Sequence, residues 1–127
     1  MSMSEIEIRT DNDVTRLAPG EILAGSVRWN LLEPPRSIDL RLMWYTQGKG
    51  DGDVGVVDSI TFDNPAQYET RRFQFQLPNG PYSFSGKLIA LIWALEAVVQ
   101  PRDRFERLEI VVSPTRREIA LLAPQPQ

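Results

Sequence analysis

The chain has no cysteine and no histidine among its 127 residues. Without cysteine there is no disulfide, no thiolate nucleophile and no sulfur-ligated metal. Without histidine the commonest general base and the commonest transition-metal ligand are gone as well. Lysine is scarce: only Lys49 and Lys87 stand against 12 arginines. That skew fits the coding bias of a GC-rich bacterium before it fits a preference for bidentate contacts. The net charge is −3, from 14 basic and 17 acidic residues. No nucleic-acid partner is expected, because such binding needs a basic face that releases counterions. Long apolar runs are missing too. The longest, Leu88 to Leu95, falls far short of the roughly 20 residues of a membrane-spanning helix. Met1 to Glu5 shows neither the basic start nor the apolar stretch of a leader, so the cytoplasm is the expected location.

The apolar share, 42%, is ordinary for a soluble domain. A chain of this length has room for one domain and buries about two-thirds of its unfolded surface.

The strongest pattern is alternation. Glu5 to Arg9 puts Ile6 and Ile8 on one side. In Ile22 to Asn30, Leu23, Val27 and Trp29 share a parity with Gly25, which marks a close backbone approach or a bulge. Ser37 to Tyr45 alternates with Ile38, Leu40, Leu42 and Trp44 on one face and Asp39, Arg41, Met43 and Tyr45 on the other. Val54 to Phe62 is read with Val54, Val56, Ile60 and Phe62 together. Tyr68 to Leu77 places Arg71, Phe73, Phe75 and Leu77 on one face, and Arg104 to Val112 turns Leu108, Ile110 and Val112 inward.

Gly86 to Val99 is apolar on both parities, broken only by Glu96. A helix is the rival reading, since Leu, Ala and Glu form helices well. The neighbouring strands and the closing Pro101 favour a long central strand. Turn clusters at Asp11-Asn12-Asp13, Pro19-Gly20, Pro34-Pro35, Gln47 to Asp53 and Asp63-Asn64-Pro65 separate these segments. Seven or eight strands at this spacing predict an all-β, two-sheet antiparallel sandwich of immunoglobulin-like kind. It would span 1–113, with 114–127 as a tail carrying Ile119, Leu121 and Leu122 that adds a strand or folds over a sheet.

Several groups of side chains invite a chemical reading. Asp51, Asp53 and Asp58 have a calcium-loop flavour, but the twelve-residue pattern with its final Glu does not follow. A solvated loop is the simpler account. Glu96, Glu106 and Glu109 supply carboxylates without anything that pairs them in a pocket. Ser83 and Ser85 have no histidine to activate them. No cofactor or metal is implied. Arg28, Arg41, Arg71 and Arg72 would form an anion site if they converged, and cross-strand pairs with Asp39, Glu69 or similar if they did not. Trp29, Trp44, Tyr45, Tyr68 and Tyr82 could build a carbohydrate platform, although Trp29 and Trp44 have inward parity.

Four local patterns carry a resemblance. They are Pro19-Gly20-Glu21 with Gly25 and Val27; Phe73-x-Phe75-x-Leu77-Pro78; Pro81-Tyr82-Ser83-Phe84-Ser85-Gly86; and Trp93, Leu95, Ala97 and Val99 at alternate positions. In this order they resemble the N-terminal lobe of the arrestin family. That family embraces arrestins, arrestin-domain adaptors, retromer subunits and bacterial sporulation-control relatives. The resemblance implies a sandwich lobe and non-enzymatic binding of proteins, as an adaptor or scaffold. Animal arrestins have two lobes, and this chain has room for one. The family's phosphate-sensing core between lobes is therefore not implied.

If Trp93 and Leu95 point inward, then Ala90, Ile92 and Ala94 point outward. Ser37 to Tyr45 would lie alongside, adding Met43, Tyr45 and Arg41. These six are the candidate protein-binding residues. An apolar patch of this kind marks an interaction surface or is covered by the tail. Association between copies of the chain is the other expected use. A small-ligand or carbohydrate-binding sandwich is the alternative function.

Overall fold

The computed structural model describes residues 5–48, 52–86, 89–101 and 104–120. The alternating segments become strands. They are β1 (Glu5–Thr10), β2 (Arg16–Leu17), β3 (Ile22–Asn30), β4 (Ser37–Gly48), β5 (Val54–Asp63), β6 (Tyr68–Gln76), β7 (Phe84–Ser85), β8 (Ile89–Gln100), β9 (Arg104–Val112) and β10 (Ile119–Ala120). A 3-10 turn at Asp11–Asp13 follows β1, with Asn12 at φ 57°. The long apolar segment is a strand and not a helix, because its register pairs it on both edges.

Two sheets face each other. The smaller has the order β1-β3-β6. The larger runs β10-β7-β8-β4-β5, with β9 also on β8 and β2 on β9. One expectation needs correction: the sheets are not purely antiparallel. β2 runs parallel to β9, and β10 parallel to β7. In the first case the chain switches sheets after β1. Val111 N donates to Thr15 O at 2.8 Å and Ser113 N to Leu17 O at 3.0 Å. In the second, a turn at Ser113 to Arg116 returns the chain, and Ile119 N donates to Ser83 O at 3.2 Å.

The core lies between the inner faces. Trp29, Trp93, Leu23, Val27, Leu40, Leu42, Leu95, Phe73, Phe75 and Val112 are all buried. Each buried indole also finds an acceptor, as buried Trp requires. Trp29 Nε1 donates to Ala66 O at 2.8 Å, and Trp93 Nε1 to Pro81 O at 2.9 Å. Gly25 sits opposite Thr10 and Phe73, where a Cβ would run into the carbonyl of Arg9. The strand glycine is therefore a close approach and not a bulge.

The turn motifs are wired together. Gly20, at φ 83°, donates its N–H to Leu77 O at 3.0 Å, and Leu77 N donates to Glu21 O at 2.9 Å. Ser83 N donates to Val112 O at 2.7 Å, while Ser83 Oγ accepts from Val112 N at 3.0 Å.

A second correction concerns β5. Its register against β4 slips between Leu42, opposite Asp58, and Met43, opposite Val56. Val57 is the extra residue of this bulge. Val54 and Val56 therefore leave the inner face of Ile60 and Phe62 and turn outward. Gly55 takes the inner position, and the Trp44 ring lies where its side chain would be.

Candidate functional site

The outer face of the larger sheet is built from β5, β4, β8 and β9. Pairing across the strands fixes its rows. One row holds Val54, Tyr45 and Ile92. The next holds Val56, Met43, Ala94 and Glu109. Then come Ser59, Arg41, Glu96 and Arg107, followed by Thr61, Asp39, Val98 and Phe105.

All six residues singled out in the sequence are on these two central strands. Tyr45 faces Ile92, Met43 faces Ala94, Arg41 lies beside Glu96, and Ala90 faces Gln47. Their exposure differs. Ala94 is 0% and Met43 5% exposed, so a partner would reach Tyr45, Ile92, Arg41 and Ala90, which are half-buried. The small Ala94 is shut in by its taller neighbours.

A charged knot holds the middle. Glu96 is buried, and Arg107 donates to its Oε2 from Nη2 at 2.6 Å and from Nε at 3.2 Å. Arg41 Nη1 stands 3.9 Å from Oε1 on the other side. The Arg107 guanidinium also lies over the rings of Tyr45, at 4.7 Å, and Phe105, at 5.6 Å. Tyr45 OH donates to Glu109 Oε1 at 3.3 Å. The hydrogen bond to Glu96 holds the Arg107 guanidinium above its ordinary pKa, with a smaller contribution from Tyr45. Sequence reasoning missed Arg107 and Glu109 as part of this face. A lone carboxylate inside an apolar strand signals a cation nearby, but which neighbour supplies it depends on the β8–β9 register.

Comparison with solved structures places the architecture. The chain superimposes on Spo0M, a sporulation control protein from Bacillus subtilis, with a TM-score of 0.58 at 20% identity, over 89% of this chain. The fold is arrestin-like. This arrestin-like sandwich spans 50% of the Spo0M chain. A β-glucosidase from Listeria innocua aligns with 94% of this chain at 17% identity and a TM-score of 0.46, over 17% of its own length. That match is too distant to carry an argument. No protein-family model and no curated protein matches the chain.

The arrestin-like frame separates the other candidate groups. The four arginines do not converge. Arg28 pairs with Glu7 at 3.4 Å, Arg72 with Asp11 at 2.6 Å, Arg71 with Glu69, and Arg41 with Glu96 in the other sheet. Trp29 is core, Trp44 packs against it, Tyr45 is on the outer face, Tyr68 is on β6 and Tyr82 is in the turn before β7. They share no surface. Of the acidic loop, Asp51 lies outside the described residues, as do Lys49, Lys87, Leu88, Leu121 and Leu122. Among the described residues no group of three metal-ligating side chains converges. Ser83 is buried at 1% exposure and engaged with the Val112 backbone.

One concavity was not foreseen from the sequence. A cleft of about 720 Å³ opens between β1 and β9, with Ile6, Ile8 and Leu108 in its wall and Glu7, Arg28 and Glu106 among its charged residues. It exists because these two edges approach without pairing.

Proposed function

We propose that this chain is a non-enzymatic protein-binding domain, an adaptor or scaffold, that meets its partner through the outer face of the larger sheet or through a sheet edge. One observation carries the reading. Among the described residues no third layer packs on that outer face, yet it is not the polar surface that a solvated sheet face ordinarily shows. Half-buried Tyr45 and Ile92 and exposed Val54, Val56 and Phe105 surround a charged centre. An apolar ring around paired charges gives a partner both surface to bury and groups that fix its orientation.

The arrestin-like fold supports this reading without fixing it. Spo0M is a sporulation control protein, and a regulatory role for this chain is part of the proposal. So are a cytoplasmic setting and the division into a sandwich, 1–113, and a tail, 114–127.

Site-directed photo-crosslinking in the source cell tests the proposal. A benzophenone side chain at Tyr45 should trap a discrete partner, and the same group at Thr70 on β6 should not. Ile92→Asp should abolish the adduct while circular dichroism and melting stay close to wild type. Unfolding of Ile92→Asp would make Ile92 a core residue. Absence of any adduct from the outer face and from every sheet edge would sink the proposal.

A further inference from the structure

We propose that the free edge of β5, from Val54 to Ser59, is a strand-addition site for an extended segment of a partner in which aliphatic residues alternate with Lys or Arg. The proposal rests on the protein-binding reading above and names the edge and the chemistry of the partner.

Among the described residues the larger sheet ends at β5, which is hydrogen-bonded on one side only, to β4. Such edges offer unpaired N–H and C=O groups and are usually blunted by Lys, Pro or inward charges. β5 contains no Lys, Arg or Pro; what it has is the bulge at Val57 and a carboxylate at inner parity, Asp58, which an incoming cation would satisfy. Its bulge turns Val54 and Val56 outward, and Val54, Val56 and Val57 are 64%, 55% and 40% exposed. At the far end Arg71 Nη2 donates to Asp63 O at 3.3 Å and lies over Phe62, which leaves the Val54 to Ser59 stretch as the open part.

The other long free edges differ. β1 and β6 carry both signs of charge, and apart from Glu5 at the start of β1 those charges are already matched: Glu7 with Arg9 and Arg28, Glu69 with Arg71, and Arg72 with Asp11 of the turn after β1. On β5 and its approach, exposed Asp53 and Asp58 have no cationic partner among the described residues. Their parity is opposite to that of Val54 and Val56. The edge thus presents aliphatic side chains to one face and carboxylates to the other. An incoming strand matches it when its own alternation sets aliphatic residues beside the valines and cations beside Asp53 and Asp58.

A second copy of β5 does not match. Antiparallel self-pairing would set acid beside acid, which disfavours the pair. The same acidity excludes acidic segments.

The test uses the isotope-labelled 127-residue protein and two blocked octapeptides, one alternating Val and Lys, the other Val and Glu. The Val-Lys peptide should bind saturably, with amide shifts confined to β5 and β4, and should weaken about tenfold or more from low to high salt. Asp58→Lys and Val56→Lys should each weaken it about tenfold without changing the spectrum elsewhere. The Val-Glu peptide should not bind. No binding of the Val-Lys peptide overturns the proposal. So does equal binding to Asp58→Lys, or shifts centred on β1, β6 or β9. A dimer in light scattering that Val56→Lys dissolves would replace the basic partner with a second copy. If the peptide fails while Tyr45 still traps a partner, the edge assignment falls and protein binding stands. If both fail, both fall.

Discussion

Ser83 shows how much one side chain can hold in place. It is almost fully buried, its Oγ accepts the Val112 amide at 3.0 Å, and its own amide donates to Val112 O at 2.7 Å. It therefore fastens the turn before β7 to the end of β9. Replacing it with alanine keeps the backbone bond and strands the Val112 N–H. A buried unsatisfied donor costs about 1–3 kcal/mol. Ser83→Ala should lower the urea midpoint by the equivalent of that range with an unchanged slope. A loss below the lower bound would mean that water replaces the hydroxyl. Read from sequence, Ser83 was a serine without a histidine, hence no nucleophile, and a member of the Pro81 to Gly86 turn pattern, which did not show that its hydroxyl reaches Val112. Glu96 is the converse case. Its place in the apolar run was plain, but Arg107 as its partner depends on the β8–β9 register, which spacing alone does not fix. Arg41 beside Glu96 was closer to hand, because both strands could be assigned a face from alternation.

At the scale of elements, what was legible is what repeats. β3, β4, β6 and β9 have a period of two over nine residues or more, and their inner faces follow the alternation, while β8 is apolar on both parities and was legible as a strand from its neighbours and the closing Pro101. β2, β7 and β10 are two residues long and have no period to read. The parallel pairings they make were invisible for that reason. In β5 the alternation itself misled, because one inserted residue at Val57 reverses the faces beyond it. Turn residues carried more than punctuation. The Pro19-Gly20-Glu21 turn is clamped from the far end of the chain, where Arg116 Nε donates to Glu21 Oε1 at 2.8 Å and Ala18 N donates to the same oxygen. The hydrogen bond from Arg116, then that from Ala18, lowers the Glu21 pKa. Arg72 does the same to Asp11, and Arg71, then the Ala66 amide, to Glu69. A carboxylate with a lower pKa folded than unfolded adds stability above its unfolded value. That stability is lost as pH falls through the folded value. The melting temperature should therefore hold near neutrality and fall from about pH 4.5 downward. Arg116→Ala should flatten that fall by removing the larger cause of the Glu21 contribution, the Ala18 hydrogen bond being left in place. Thermal melts at stepped pH check both. A melting temperature that rises on acidification, or an Arg116→Ala profile parallel to wild type, would contradict the assignment.

Across the whole molecule, pairing on both edges distinguishes the centre of the sandwich from its margins. β8 is bonded to β4 along its full length and to β9 from Trp93 to Val99. β4 is bonded to β8 and β5. These strands also carry Leu40, Leu42, Trp93 and Leu95, all at 0% exposure. Opening them requires the core to open, so their amides should exchange only through global unfolding. Among the described residues β5 has one partner, exposed valines and a bulge, and β10 has two residues on a two-residue strand. Their amides should exchange by local opening, faster than those of β8 by orders of magnitude. The gradient matters for function, because a strand that accepts a partner must have edge groups that are free or cheaply freed. Hydrogen exchange followed by NMR orders the strands directly. The expected ranking puts β8 and β4 slowest and β10 fastest, with the amides of Val54 to Ser59 split by parity. Those bonded to β4 should be protected, and those facing the free edge should exchange almost as an unfolded chain does. Uniform protection along Val54 to Ser59 would mean that something already covers this edge in the isolated chain, and the strand-addition site would then have to be sought elsewhere on the sandwich.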